Sequence, residues 1–254
     1  MFKRIHWPSF FKLFNLSRNY LKDHAVSQST PISEIIKQRL HESNAGYFAN
    51  DNISEFINEE EREQLKIEIS TKLESLFHSM VIDIKNDHNT NESSKRLAKM
   101  YVDEVFKGRY HPMPETKDFP NFRELDEMYT LGPVTVRSAC SHHFVPIIGH
   151  AWVGIMPSDK VIGISKFNRV IDWVMSRPHI QEEAAIMVAD KLEELVKPKG
   201  IAVVIKAQHM CMTWRGVKET NTTMVNSVVR GAFRESKDLK KEFFDIISAQ
   251  GFKS

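Results

Sequence analysis

Apolar positions along the chain follow two different periods, one in each half. From Pro31 the spacing is helical: "PISEIIKQRLHES" predicts a short helix over 31–43, and a longer pattern predicts a helix over 54–81 with Leu65, Ile69, Leu73, Leu76 and Met80 in one apolar stripe. The polar run "KNDHNTNES" interrupts it. "SKRLAKMYVDEVFKG" then predicts a third helix, ending at Gly108 because glycine readily terminates helices. After a proline-containing loop the period shortens to two. Strands are predicted over 134–139, 150–157, 161–165, 201–210 and 222–233 from alternation and β-branched content. Helices over 165–176 and 181–196 interrupt them, the second stopping at Pro198 and Gly200, and a helix over 238–250 follows. Helices first, then strands with inserted helices, predict an α+β fold with a largely antiparallel sheet.

The first residues have a different character. "MFKRIHWPSFFKLFNLSRNYLKDH" is basic and aromatic, with Phe10, Leu13, Phe14 and Leu21 at helical spacing after Ser9, and the polar "HAVSQSTP" reads as a linker. Docking on the protein itself, on a membrane surface or on a partner all suit it, and the absence of acidic residues before Asp23 also suits a transit segment. Residues 1–50 are therefore expected to form an appended segment and 51–254 the catalytic domain with its helical region.

At 254 residues the chain can bury a sizeable core, and its 41% hydrophobic and 27% charged content is globular. A formal net charge of +2 gives no general argument for a nucleic-acid partner, so any basic site must be local. No apolar run approaches the ~18 residues of a membrane span. With only two cysteines and no secretory leader pattern, a reducing, cytoplasmic setting is expected, and a Cys140–Cys211 disulfide is the disfavoured alternative.

Candidate chemistry gathers around those cysteines. Cys140 and His143 form a C-x-x-H pair at a strand end, and Cys211 lies near the end of another strand in "QHMCMTWRG". Two thiolates and an imidazole suit zinc, and three protein ligands leave the fourth tetrahedral position open, as catalytic zinc sites do. Two unrelated buried cysteines remain the alternative at this point. His142 and His209 stand beside the ligands, placed for proton transfer near neutral pH, and strand alternation would turn His209 to the same side as Cys211 if that strand stays regular.

"CSHHFVPIIGHAWVGIMP", "VIGISKFNRV", "IQEE", "PKGIAVVIKAQHMCMTWRG" and "VVRGAFRE", preceded by "RLAKMYVDEVF", together resemble the GTP cyclohydrolase I family, from about Lys95 to the C-terminus. The resemblance implies a tunnelling fold, with N-terminal helices followed by an antiparallel sheet backed by helices. It also implies a homodecamer with interfacial active sites, and hydrolysis of GTP to 7,8-dihydroneopterin triphosphate and formate as the first step of pterin and folate synthesis. Carried over residue by residue, it implies Cys140, His143 and Cys211 as ligands of Zn2+, with His142 and His209 as acid/base groups. His209 would be the donor to guanine N7, and Ser165 would bind substrate and, with His142, serve the later proton transfers. Gln181 and Glu182 would read guanine, while Lys166, Arg169 and Arg215 would hold the triphosphate, with Arg96 reaching across a subunit interface.

One position departs from the family pattern: Ser141 stands where a glutamate is usual, which changes the surroundings of the metal without removing a ligand. A related nitrile reductase would need a free nucleophilic cysteine, and both cysteines here have metal roles. A non-catalytic paralogue that binds a purine or pterin is the other reading, and it conflicts with retention of both histidines and all three ligands.

Overall fold

The computed structural model describes residues 30–252. The basic amphipathic segment at the N-terminus lies outside them. Pro31, with its fixed φ, precedes helix α1, Ile32–Glu42, whose first turn carries Glu34 and whose last carries Arg39 and His41, in keeping with the helix dipole. Helix α2, Glu59–Ser79, begins with a capping box in which Asn58 and Glu61 satisfy each other's backbone donors. Ile32, Ile36 and Leu40 of α1 pack with Ile53, Ile57 and Leu65 in one cluster, and Arg39 makes a two-pronged contact with Glu61 at 2.8 and 2.5 Å. The predicted stripe on α2 is thus covered at Leu65 and left open at Leu76 and Met80.

Helix α3, Ser93–Lys99, runs directly into a π-helical stretch, Met100–Val105, and then into a short helix α4, Lys107–Tyr110. The helical path therefore passes through Gly108 instead of ending there. Glycine is needed for close approach: its N–H donates to Ser176 O at 3.0 Å, and a Cβ would lie 1.9 Å from Trp173 O.

Strand β1, Asp118–Pro120, pairs with β4, Lys160–Ile162, in a separate two-stranded ribbon. The main sheet contains β2, Tyr129–Cys140; β3, Pro146–Met156; β5, Pro178–His179; β6, Gly200–His209; and β7, Met224–Gly231, in the order β5-β2-β3-β6-β7. Among the described residues, only the short β5–β2 pairing is parallel. The strand predicted over 161–165 ends early because helix α5, Ile164–Met175, starts after Gly163. Helix α6, Gln181–Val196, lies beside it, α7, Met210–Thr213, follows β6, and α8, Ala232–Glu235, and α9, Lys237–Ala249, close the chain.

Both faces of the sheet are covered, which is why residues 201–205 of β6 form an unbroken apolar run. Its alternate residues divide cleanly. Ile201, Val203 and Ile205 join the core under α5 and α6, whereas Ala202 and Val204 join Trp152, Phe233, Phe243 and Ile247 on the other face. These layers make the α+β architecture expected from the sequence.

The tight seat of Gly108 yields a stability prediction. Gly108→Ala should force backbone apart between α4 and α5 and lower unfolding stability by about 1–3 kcal/mol, read as a lower denaturant midpoint. An unchanged midpoint would show that this contact does not constrain the fold.

Candidate metal centre and active site

The Cys–His group is assembled by two strand ends on either side of β3. After Cys140 the chain reverses within a few residues: Cys140 N–H donates to Val145 O at 2.9 Å, and Phe144 N–H returns to Cys140 O at 2.7 Å. Phe144 takes a left-handed φ of 55° to close this turn. The turn carries His143 back toward Cys140. On the other flank, His209 is the register partner of Ile147 at the start of β3. The strand stops there, and Cys211 sits in the helical turn α7, so the strand alternation expected between His209 and Cys211 does not hold. Cys140, His143 and Cys211 consequently offer ligand atoms that all lie within 4.8 Å of one another.

This donor set fits a metal ion. Burial raises the Cys211 thiol pKa, and the neighbouring Cys140 raises it further; a cation between the sulfurs would oppose that repulsion and favour the thiolates. Arg215 Nη1 donates to Nε2 of His143 at 2.8 Å. His142 is exposed, with Nδ1 3.7 Å from the Cys140 sulfur.

His209 ends β6, two residues before Cys211. Its Nε2 lies 2.8 Å from Oε1 of Gln181, and burial pushes its pKa down while the charge of nearby Glu182 pulls the other way. Glu182 is exposed in the first turn of α6. Its neighbour Glu183 accepts from Asn50 Nδ2 at 2.7 Å.

Two buried residues that sequence reasoning passes over hold this corner together. His179 is paired with Cys140 across β5 and β2; its carbonyl accepts from Ser141 N–H at 2.9 Å, and its Nε2 donates to Val174 O at 2.7 Å. Burial lowers the His179 pKa to about 4, so the ring stays neutral. Arg177 lies buried with its guanidinium 4.0 Å from the Trp173 ring centroid and donates to Asn50 O at 3.0 Å. Their only signal in the sequence is position, immediately before Gln181 in "RPHIQEE".

The remaining predicted residues are elsewhere in the chain. Ser165, Lys166 and Arg169 lie in the first turns of α5, where Phe167 packs edge-on against Tyr129 with ring centroids 6.3 Å apart. Tyr129 and Cys140 are the two ends of twelve-residue β2, a strand that spans roughly 35 Å when extended. Arg169 lines a cavity of about 320 Å³ with Lys107, His111, Asp172 and Trp173. Arg96 is exposed on α3, without a hydrogen bond or ion pair to the Cys–His group among the described residues. One chain therefore gathers Cys140, His142, His143, Gln181, Glu182, His209, Cys211 and Arg215, and leaves Ser165, Lys166, Arg169 and Arg96 apart.

The family model described as GTP cyclohydrolase I matches residues 69–248. A GTP cyclohydrolase 1 of Actinobacillus pleuropneumoniae serotype 5b (strain L20) is 35% identical over 189 residues, covering 74% of this chain and 86% of that protein. Those of Haemophilus ducreyi (strain 35000HP / ATCC 700724) and Yersinia pseudotuberculosis serotype O:1b (strain IP 31758) are each 33% identical, with the same 74% and 86% coverage. Among solved structures, the archaeosine synthase QueF-Like in the apo form is similar with a TM-score of 0.34 and 17% identity, covering 42% of this chain and 93% of that one. Matched across most of its length, and by relatives that it covers almost end to end, the chain belongs to the GTP cyclohydrolase I family.

Proposed function

We propose that this chain catalyses zinc-dependent hydrolysis and rearrangement of GTP to 7,8-dihydroneopterin triphosphate and formate, the first step of pterin and folate synthesis. The observation that carries the reading is the convergence of Cys140, His143 and Cys211 within 4.8 Å beside a half-buried His209. When bound to those three residues, zinc supplies Lewis-acid activation of water near neutral pH. The chain's own side chains do the rest. His209 donates a proton to guanine N7, which makes C8 electrophilic enough for water to add. Glu182 accepts from guanine N1–H and the 2-amino group, a donor edge that adenine lacks. Arg215 stands near the group for the triphosphate, and His142 and Ser165 take part in the later proton transfers.

The separation of Lys166 and Arg169 from the Cys–His group supports an active site shared between subunits of a homodecamer. In that arrangement one chain supplies the metal and base, and a neighbour supplies phosphate-binding cations. Two further features suit such assembly: Leu76 near the end of α2 and Met80 and Val81 just beyond it are exposed, and among the described residues β7 is an edge strand of the sheet. Residues 51–254 are proposed as the catalytic domain and 1–50 as an appended segment, within which α1 is anchored on α2. Among the described residues, no helix is long and apolar enough to cross a membrane. A cytoplasmic location is part of the same proposal.

Zinc-loaded protein incubated with GTP should release formate and a pterin that fluoresces after oxidation, and Cys211→Ser should lose both zinc and turnover. An inactive, fully loaded and assembled native protein would defeat the proposal, as would a Cys211→Ser variant that keeps both properties.

Glu182→Ala should lose about 2–4 kcal/mol of preference for GTP over ATP, because the guanine donors are left unpaired. Unchanged relative kcat/KM for the two nucleotides would assign Glu182 to the helix dipole alone.

Shared sites also predict complementation. Cys211→Ser and Lys166→Ala subunits, each inactive alone, should regain about a quarter of native turnover when unfolded together and reassembled in equal amounts, since random mixing restores one intact interface in four. No recovery in mixed assemblies would place both residues in one subunit's site.

A further inference from the structure

Gln181 sits in the site without being available to a substrate. It is 1% exposed, at the first position of α6, and protein groups already occupy both ends of its amide. The amide nitrogen lies 3.1 Å from the carbonyl oxygens of both Ile205 and Met224, one on β6 and one on the adjacent β7. Backbone carbonyls only accept hydrogen bonds, so the nitrogen end of the amide must face them. The oxygen end is thereby aimed at Nε2 of His209, 2.8 Å away. An amide oxygen also only accepts. Nε2 must therefore carry the hydrogen, and the lone pair of the neutral ring lies on Nδ1.

We infer that Gln181 is a positioning residue that fixes His209 as the Nε2–H tautomer, so that His209 exchanges its proton with the purine through Nδ1. The inference rests on the cyclohydrolase reading and deepens it. The doubly protonated ring gives its Nδ1 proton to guanine N7 as water adds at C8. It then returns to the neutral form with Nε2–H still held by Gln181. Guanine N7 gains the Nδ1 proton, the adding water releases one proton to solvent, and the hydrogen bond to Gln181 persists throughout. Recognition of the guanine edge falls to the exposed side chain of Glu182 instead of being divided between the two residues.

The experiment uses the assembled, zinc-replete full chain, with histidine ring nitrogens labelled for solid-state nitrogen NMR at a pH where the ring is neutral. The His209 signal is assigned as the one missing from His209→Gln. The native protein should show the Nε2–H tautomer. Gln181→Leu should show both tautomers, with kcat for GTP reduced about 10- to 100-fold, by analogy with the loss of a partner that orients a metal-ligating histidine, and KM within about threefold. A native Nδ1–H tautomer would overturn the inference. So would a Gln181→Leu enzyme with raised KM and unchanged kcat, which would place Gln181 on the base. The native spectrum decides the matter even where the substitution prevents folding. A native protein that shows the Nε2–H ring yet turns over no GTP would sink the cyclohydrolase reading while keeping the tautomer assignment.

Discussion

The Cys140–His143 pair and the distant Cys211 have to meet, and the register of three adjacent strands makes them do so. β3 pairs with β2 on one side and β6 on the other, which brings the turn after Cys140 and the turn before Cys211 to the same end of the sheet. A slip of one residue in either ladder would exchange the faces of every side chain on that strand. It would split the core, because alternate residues of β6 belong to different clusters. Packing on both faces of the sheet thus fixes the positions of the three candidate ligands.

A buried polar corner transmits that precision to the rest of the site. His179 ties the backbone at Ser141 to α5 through Val174, and Gln181 ties His209 to β6 and β7. These contacts are worth more for geometry than for net stability, since each replaces hydrogen bonds to water. Ser141 enters the network through its backbone N–H, so the hydrogen bond that anchors this position does not depend on which side chain stands there. A serine here in place of a carboxylate therefore bears on the charge around the proposed metal ligands more than on their placement.

Much of this was legible in the sequence because it depends on local chemistry. The Cys140–His143 spacing specifies a candidate ligand pair, the alternation and β-branched content over 201–210 specify β6, and the run over 181–196 that stops at Pro198 and Gly200 specifies α6. What the sequence could not show depends on partners distant in the chain. Gly108 reads as a helix stop by composition, yet its neighbour is the backbone of Trp173. His179 reads as one more histidine, and only its burial and its pairing with Cys140 give it a task. Gln181 and Glu182 look equivalent as adjacent polar residues at a helix start, but one is buried and the other exposed. Lys166 and Arg169 belong with the cysteines by motif, whereas the length of β2 holds them apart within one chain.

The central claim is that Cys140, His143 and Cys211 form an open, three-ligand zinc site. X-ray absorption at the zinc edge of the metal-replete protein tests it most directly. The account predicts two sulfur ligands at about 2.3 Å, with one nitrogen and one oxygen from water completing a four-coordinate shell at about 2.0 Å. A shell with no sulfur, or one closed by a fourth protein ligand, would contradict it.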